Sequence, residues 1–202
     1  MRALLRTLLL LLVPATLIAQ QHDASHHAPG ATAPHLEPTI VIFVRHAERG
    51  TAPADDPELT PAGTERALAL VEALRDANVQ VVLHTPRIRT RDTALPVARH
   101  FGLTPEIVPL SAGASHVEAM AAAVRKHHGK TVVVVGHSNT IMQYIAALGG
   151  PRRSDLCDHQ YNGLYTLALI HGEAFLVEGQ YGGPNPPAAT GCATMTAPTM
   201  RP

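Results

Sequence analysis

Three short stretches of this chain hold residue types suited to handling a phosphoryl group. Arg45-His46 ends an apolar, β-branched run, Arg89 lies within Arg87-Ile88-Arg89-Thr90-Arg91-Asp92-Thr93-Ala94, and His137 follows the run TVVVV in Gly136-His137-Ser138-Asn139. A neutral imidazole nitrogen is a competent nucleophile near pH 7, and a covalent intermediate divides one difficult displacement into two easier ones. Guanidinium groups match phosphate oxygens bidentately and keep their charge, so two of them can hold the three equatorial oxygens as charge shifts. Arginines crowded around His46 disfavour its protonation and keep the attacking nitrogen free. A helix amino-terminus after Gly136, with Ser138 in its first turn, would offer N–H groups and a favourable dipole to the same anion. Nothing in this set requires a metal or another cofactor.

These groups are far apart in sequence, so the elements between them must gather them. Thr39 to Val44 (TIVIFV), Val79 to His84 (VQVVLH), a weaker Glu106 to Leu110 and Thr131 to Val135 read as strands. Helices are expected from Thr60, with Thr60 as N-cap and Pro61 at the first position, and over Arg89 to Phe101, Ser115 to His128 and Ser138 to Leu148. Tyr161 to Ile170 and Ala174 to Glu178, joined through His171-Gly172, read as a closing hairpin. Alternation of this kind predicts a three-layer α/β/α sandwich with a mostly parallel sheet and an antiparallel edge hairpin. Open sheets of this class bind ligands beyond the carboxyl ends of their strands, where Arg45-His46 and His137 fall.

With those positions fixed, the resemblance to a known family is specific. The Arg-His pair after the first strand, Leu59-Thr60-Pro61-Ala62-Gly63, the Arg89-Thr90-x-x-Thr93-Ala94 stretch and Gly136-His137-Ser138-Asn139 resemble, in order, the landmarks of the histidine phosphatase (phosphoglycerate mutase-like) superfamily, over roughly 39–182. The resemblance implies His46 as nucleophile, Arg45 and Arg89 as phosphate clamps, and His137 as a second histidine hydrogen-bonded to the transferring group. Family members often add a carboxylate that protonates the leaving oxygen; here Ser111 stands where that acid is sought. Glu118 and Glu48 are the remaining candidates, and Glu48 also reads as the partner of a nearby arginine. Arg87 and Arg91 read as a solvated helix start, and His84, His116, His127 and His128 as structural or exposed.

The ends of the chain read differently. Met1 to Ala19 has a basic start, an apolar run and small residues, the pattern of a signal peptide, and its apolar core is short of the roughly 20 residues a spanning helix needs. The expectation is export to the periplasm or medium, with no stable membrane insertion after signal removal. Residues 20–38 read as a His/Pro/Ala-rich linker and 183–202 as a flexible tail. Export would permit Cys157 and Cys192 to pair. The 16 Lys+Arg balance 16 Asp+Glu, and aromatics are 3% of 202 residues, which argues against a nucleic-acid platform. The function expected is a metal-independent phosphohydrolase acting on a small phosphoester or a phosphorylated protein side chain. A mutase of the same fold, a non-catalytic anion-binding or partner-binding module, and a metal carrier resting on His22, His26, His27 and His35 are the competing readings.

Overall fold

The strand Thr39–Arg45 (β1) alternates its side chains between two apolar layers, and that alternation divides the core in two. Val41 and Phe43 point to one face, where they meet Met120, Val124, Ile141 and Ile145. Ile42 and Val44 point to the other, against Leu70, Leu74, Ala94 and Val97. Because successive strand residues face opposite sides, a strand buried on both faces needs a continuous apolar run, and this sequence supplies one.

The computed structural model describes residues 37–111 and 114–188. After β1 come α1 (Pro61–Leu74), β2 (Val81–His84), α2 (Ile88–His100), β3 (Glu106–Ile107), α3 (Ala114–Lys126), β4 (Thr131–Gly136), α4 (Ile141–Ala147), β5 (Gly163–Ile170) and β6 (Glu173–Gln180). The six strands are ordered β3-β2-β4-β1-β5-β6. The first four run parallel, while β5 pairs antiparallel with β1 and β6 antiparallel with β5. Helices α1 and α2 cover one face and α3 and α4 the other, so the three-layer sandwich with its antiparallel edge hairpin is the observed fold. In the hairpin turn His171 and Gly172 both have positive φ, 51° and 86°, the conformation that matches the twist of two tightly linked strands.

Two elements depart from the sequence expectation, each for a local reason. Strand β3 is only two residues long and exposed, because Pro109 cannot donate to a ladder. Helix α4 begins at Ile141 rather than Ser138. The Thr140 hydroxyl accepts the His137 N–H at 3.1 Å, and the N–H groups of Thr140 and Ile141 both donate to the His137 carbonyl, closing a turn ahead of the helix. The leader and most of the linker (residues 1–36), Cys192 and the tail from 189 lie outside the described residues. The start of the expected tail is fastened: Arg66 donates to the carbonyls of Gly183 and Pro184, and Asn185 Oδ1 accepts the N–H groups of Tyr161 and Asn162. Among the described residues no helix is long and apolar enough to cross a membrane.

Candidate active site

Strands β1 and β4 are neighbours, with Arg45 opposite Gly136, yet the helices that follow them lie on opposite faces of the sheet. A crevice opens at such a switch point, and the residues next in sequence, His46 and His137, stand on either side of it. Their ring centroids are 5.5 Å apart at an interplanar angle of 63°. The His46 N–H donates to the Gly136 carbonyl at 2.9 Å and extends the ladder by one bond, so the position of the first imidazole is fixed by the sheet itself.

His46 Nδ1 lies 2.8 Å from its neighbour's carbonyl, Ala47 O, which can only accept. The proton therefore sits on Nδ1 and the lone pair on Nε2. His46 is 3% exposed, and its pKa is pushed down to about 2 by burial above all, with Arg45, His137 and Arg89 lowering it further against the Ala47 hydrogen bond. His137 is 9% exposed and pushed down to about 3, by burial first and then by Arg89. Both rings are neutral at pH 7. Arg89 Nη2 is 3.5 Å from His137 Nδ1, and since a guanidinium only donates, that nitrogen accepts. His137 Nε2 then donates to the Thr85 hydroxyl at 3.0 Å, and Thr85 continues to Thr90 at 2.9 Å.

The two arginines are held by different means. Arg45, 4% exposed, donates through Nη1 to the carbonyls of Cys157, Asp158 and Gln160, and its guanidinium carbon stands 4.1 Å over the Tyr161 ring. Arg89 is 3.4 Å from Asp56, whose carboxylate also takes the Ile88 N–H at the start of α2. The Nε atoms of Arg45 and Arg89 are both buried with no hydrogen-bond partner among the described residues. A buried donor without an acceptor costs about 1–3 kcal/mol, so two of them in one place mark a site shaped for an anion.

The Arg-Thr-x-x-Thr-Ala stretch has a structural meaning that spacing alone did not reveal. Thr90 anchors the Thr85–His137 chain, while Thr93 Oγ1 accepts the Ala47 N–H at 2.9 Å and donates to the Arg89 carbonyl at 2.8 Å. One hydroxyl thus ties the loop after His46 to the helix that carries Arg89. Leu-Thr-x-x-Gly works similarly: Thr60 donates its N–H to the Glu48 carbonyl and caps Gly63, and a Cβ on Gly63 would stand 2.1 Å from Glu48 O. Only glycine permits that approach.

The carboxylates considered as proton donors are placed elsewhere. Glu48 forms a forked pair with the buried Arg66, with Nη2 to Oε1 at 2.7 Å and Nε to both oxygens at 2.9 Å. Glu118 is 68% exposed and pairs at 4.0 Å with Arg125. Ser138 turns its hydroxyl to Asp158 at 3.4 Å, and of the backbone donors near the amino-terminus of α4 those of His137, Thr140 and Ile141 are taken by the turn described above.

A cleft of about 540 Å3 opens beside the His137 imidazole, with Arg87, Arg89, Ser111, His116, His137 and Asn139 in its wall. His46 and Arg45 are not in its wall; both are buried, and the His46 ring is 5.5 Å from that of His137. His116, expected to be incidental, is buried in that wall, its Nδ1 at 3.1 Å from the Pro109 carbonyl and its Nε2 bonded to the Tyr144 hydroxyl. Thr85, Tyr161, Asp56 and the carbonyls of residues 157–160 were missed in the sequence. Of these only Thr85 had a signal, as a polar residue directly after a strand end. Among the described residues no three His, Cys, Asp or Glu side chains cluster as metal ligands would.

Residues 41–110 match the family model of the histidine phosphatase superfamily (branch 1). The matched segment and the fold are those of the histidine phosphatases. No curated protein matches the chain. Among solved structures, the protein histidine phosphatase SixA, complexed with tungstate, superposes with a TM-score of 0.56 at 18% identity, covering 70% of this chain and 96% of its own. Phosphoserine phosphatase from Entamoeba histolytica, in complex with 3-phosphoglyceric acid, gives 0.54 at 18%, covering 72% and 98%. A mycobacterial glucosyl-3-phosphoglycerate phosphatase gives 0.54 at 15%, covering 69% and 97%.

Proposed function

We propose that this histidine phosphatase-like chain is a metal-independent phosphohydrolase that works through a phosphohistidine on His46 Nε2. The observation that carries the reading is the convergence of two neutral imidazoles, 5.5 Å apart, with two guanidinium groups whose buried Nε donors have no partner among the described residues. In the first step the Nε2 lone pair forms a bond to phosphorus, and the leaving atom departs with the electrons of the bond that breaks. Arg45 and Arg89 hold the equatorial oxygens as charge moves across them. In the second step water attacks phosphorus, the P–N bond breaks and inorganic phosphate leaves. The Nδ1–H bond to Ala47 O steadies the ring, which carries positive charge while phosphorylated.

Glu48 and Glu118 are paired with arginines elsewhere and no carboxylate lines the cleft among the described residues, which supports a leaving group that departs without the roughly 10²- to 10⁴-fold assistance of general-acid catalysis. Groups that leave readily without an enzymic acid are therefore preferred: acyl phosphates, anhydrides, aryl phosphates, and phosphoramidates whose nitrogen group already carries a proton. The substrate is a small phosphorylated molecule or a phosphorylated protein side chain, met outside the cytoplasm if residues 1–19 act as an export signal.

The test is turnover of an aryl and an alkyl phosphate with chelator present, by the native protein and His46→Ala. The expected result is chelator-resistant aryl phosphate hydrolysis that the substitution abolishes. Activity surviving the substitution, or needing a divalent ion, refutes the mechanism; equal rates on both substrates refute the leaving-group preference.

A further inference from the structure

Arg87 is the residue just ahead of α2, two positions before Arg89, and its side chain forms part of the wall of the same cleft. The sequence expectation was that it would be a solvated surface charge. Its neighbours have partners: Arg89 meets Asp56, and Arg91 pairs with Asp92 at 2.7 Å. The Arg87 guanidinium has neither a hydrogen bond nor an ion pair among the described residues, although its carbonyl caps the first turn of α2. Its charge is among those that hold the His137 imidazole down, which puts it on the His137 side of the cleft. Around it the wall offers Ser111, Asn139 and Gln143 and no carboxylate.

A phosphoryl group held by Arg45, Arg89 and His137 leaves this guanidinium unused. Half-buried, polar-walled and unpaired, it is suited to a second negative charge on the same ligand, because Arg holds carboxylate or phosphate oxygens in a planar fork. We propose that Arg87 forms a subsite for a second anionic group, so that the preferred ligands are small phosphorylated compounds bearing a carboxylate or a further phosphate. This rests on the phosphohydrolase reading above and specifies the substrate class.

The experiment is calorimetric binding of two alkyl phosphates of nearly equal shape, glycerol 3-phosphate and 3-phosphoglycerate, which differ by a carboxylate. Binding, unlike turnover, does not depend on the leaving group. The native protein is expected to bind 3-phosphoglycerate about ten- to a hundredfold more tightly, the range of one charge-assisted hydrogen bond. Arg87→Gln should bring the ratio of the two dissociation constants close to one, and Arg87→Lys should keep part of it. An unchanged denaturation midpoint for Arg87→Gln shows that the variant is folded. A native ratio near one, or a ratio that Arg87→Gln leaves intact, overturns the subsite while leaving the phosphohydrolase standing. If neither ligand binds, the subsite falls, while the phosphohydrolase reading is judged separately by chelator-resistant aryl phosphate turnover and its loss in His46→Ala.

Discussion

Replacing Thr93 by valine removes one hydroxyl, almost without changing shape, from the point where the loop of His46, the proposed nucleophile, meets α2. Thr93 is fully buried, and its Oγ1 is the acceptor for the Ala47 N–H at 2.9 Å. The valine leaves that buried N–H without a partner, at a cost of about 1–3 kcal/mol. The Arg89 carbonyl, to which Thr93 also donates, keeps its place in the helix ladder, so only one group is orphaned. For a domain of this size each kcal/mol moves the melting temperature by roughly 2–4 °C. The functional loss should exceed the loss of stability. Ala47 O holds the Nδ1 proton of His46, and an Ala47 no longer tied through its N–H holds that carbonyl, and so the imidazole tautomer, less firmly. Thr93→Ser keeps the hydroxyl and deletes a methyl, so it should recover most of the rate. The assay is urea denaturation alongside single-turnover kinetics on an aryl phosphate under conditions where every variant is folded. Thr93→Val that is as stable and fast as the native protein, or Thr93→Ser that is equally damaged, refutes the link between this hydroxyl and the nucleophile.

Stability should fall steeply as the solution is acidified. His46 and His137 have folded pKa values of about 2 and about 3, against 6.5 in the unfolded chain, so below pH 6.5 the unfolded state binds protons that the native state refuses. The stability tied to their neutrality is complete above pH 6.5 and lost progressively towards pH 3. At pH 5 the loss is about 2 kcal/mol per histidine. Denaturation of native and His137→Gln proteins at pH 7 and pH 5 measures it, the variant being expected to lose about half as much from the two histidines; equal pH sensitivity contradicts the assignment. Glu48→Gln should act on stability rather than on proton transfer. Arg66 is 5% exposed, and breaking a buried pair on one side costs about 3–5 kcal/mol. The dependence of rate on leaving group, measured across a series of aryl phosphates, should keep its native slope; a steeper slope in the variant identifies Glu48 as the missing acid.

What could be read from the sequence depended on how far apart the cooperating residues lie. Val132 to Val135 and Val41 to Val44 announce buried parallel strands because being covered on both faces demands unbroken apolar runs, and Thr60-Pro61 announces α1 through local capping chemistry. The placement of Arg45, His46 and His137 followed from those strands, since residues after adjacent parallel strands share one edge. Interactions across the fold were not legible. That Glu48 is taken by Arg66 depends on the face α1 presents, and the carbonyls that receive Arg45 come from an irregular segment 112 to 115 residues away. The start of α4 was misplaced because Thr140 competes for the His137 N–H, a side-chain bond that helical periodicity does not register. Arg87 was indistinguishable from Arg91 in the sequence, because each lies two residues from Arg89 and that spacing says nothing about which side chain turns into the cleft.

The candidate site is assembled around a charge that its own residues do not supply. Burial lowers the pKa of Arg45 and Arg89, holds both imidazoles neutral and leaves two guanidinium Nε donors without partners, and each of these is an energetic cost to the folded chain. On the proposed mechanism, a phosphoryl dianion offsets these costs. It gives the Nε donors their acceptors, relieves repulsion between the arginines, and raises the proton affinity of His137, whose Nδ1 faces Arg89 while Nε2 stays committed to Thr85. His46 differs, because the Ala47 carbonyl holds its proton on the nitrogen remote from phosphorus. On the proposed mechanism, the same burial that weakens both rings as bases sets His46 as nucleophile and leaves His137 to accept a proton when the anion arrives. Two histidines of like environment acquire different roles through the atom each hydrogen-bonds, a backbone carbonyl in one case and a threonine hydroxyl in the other.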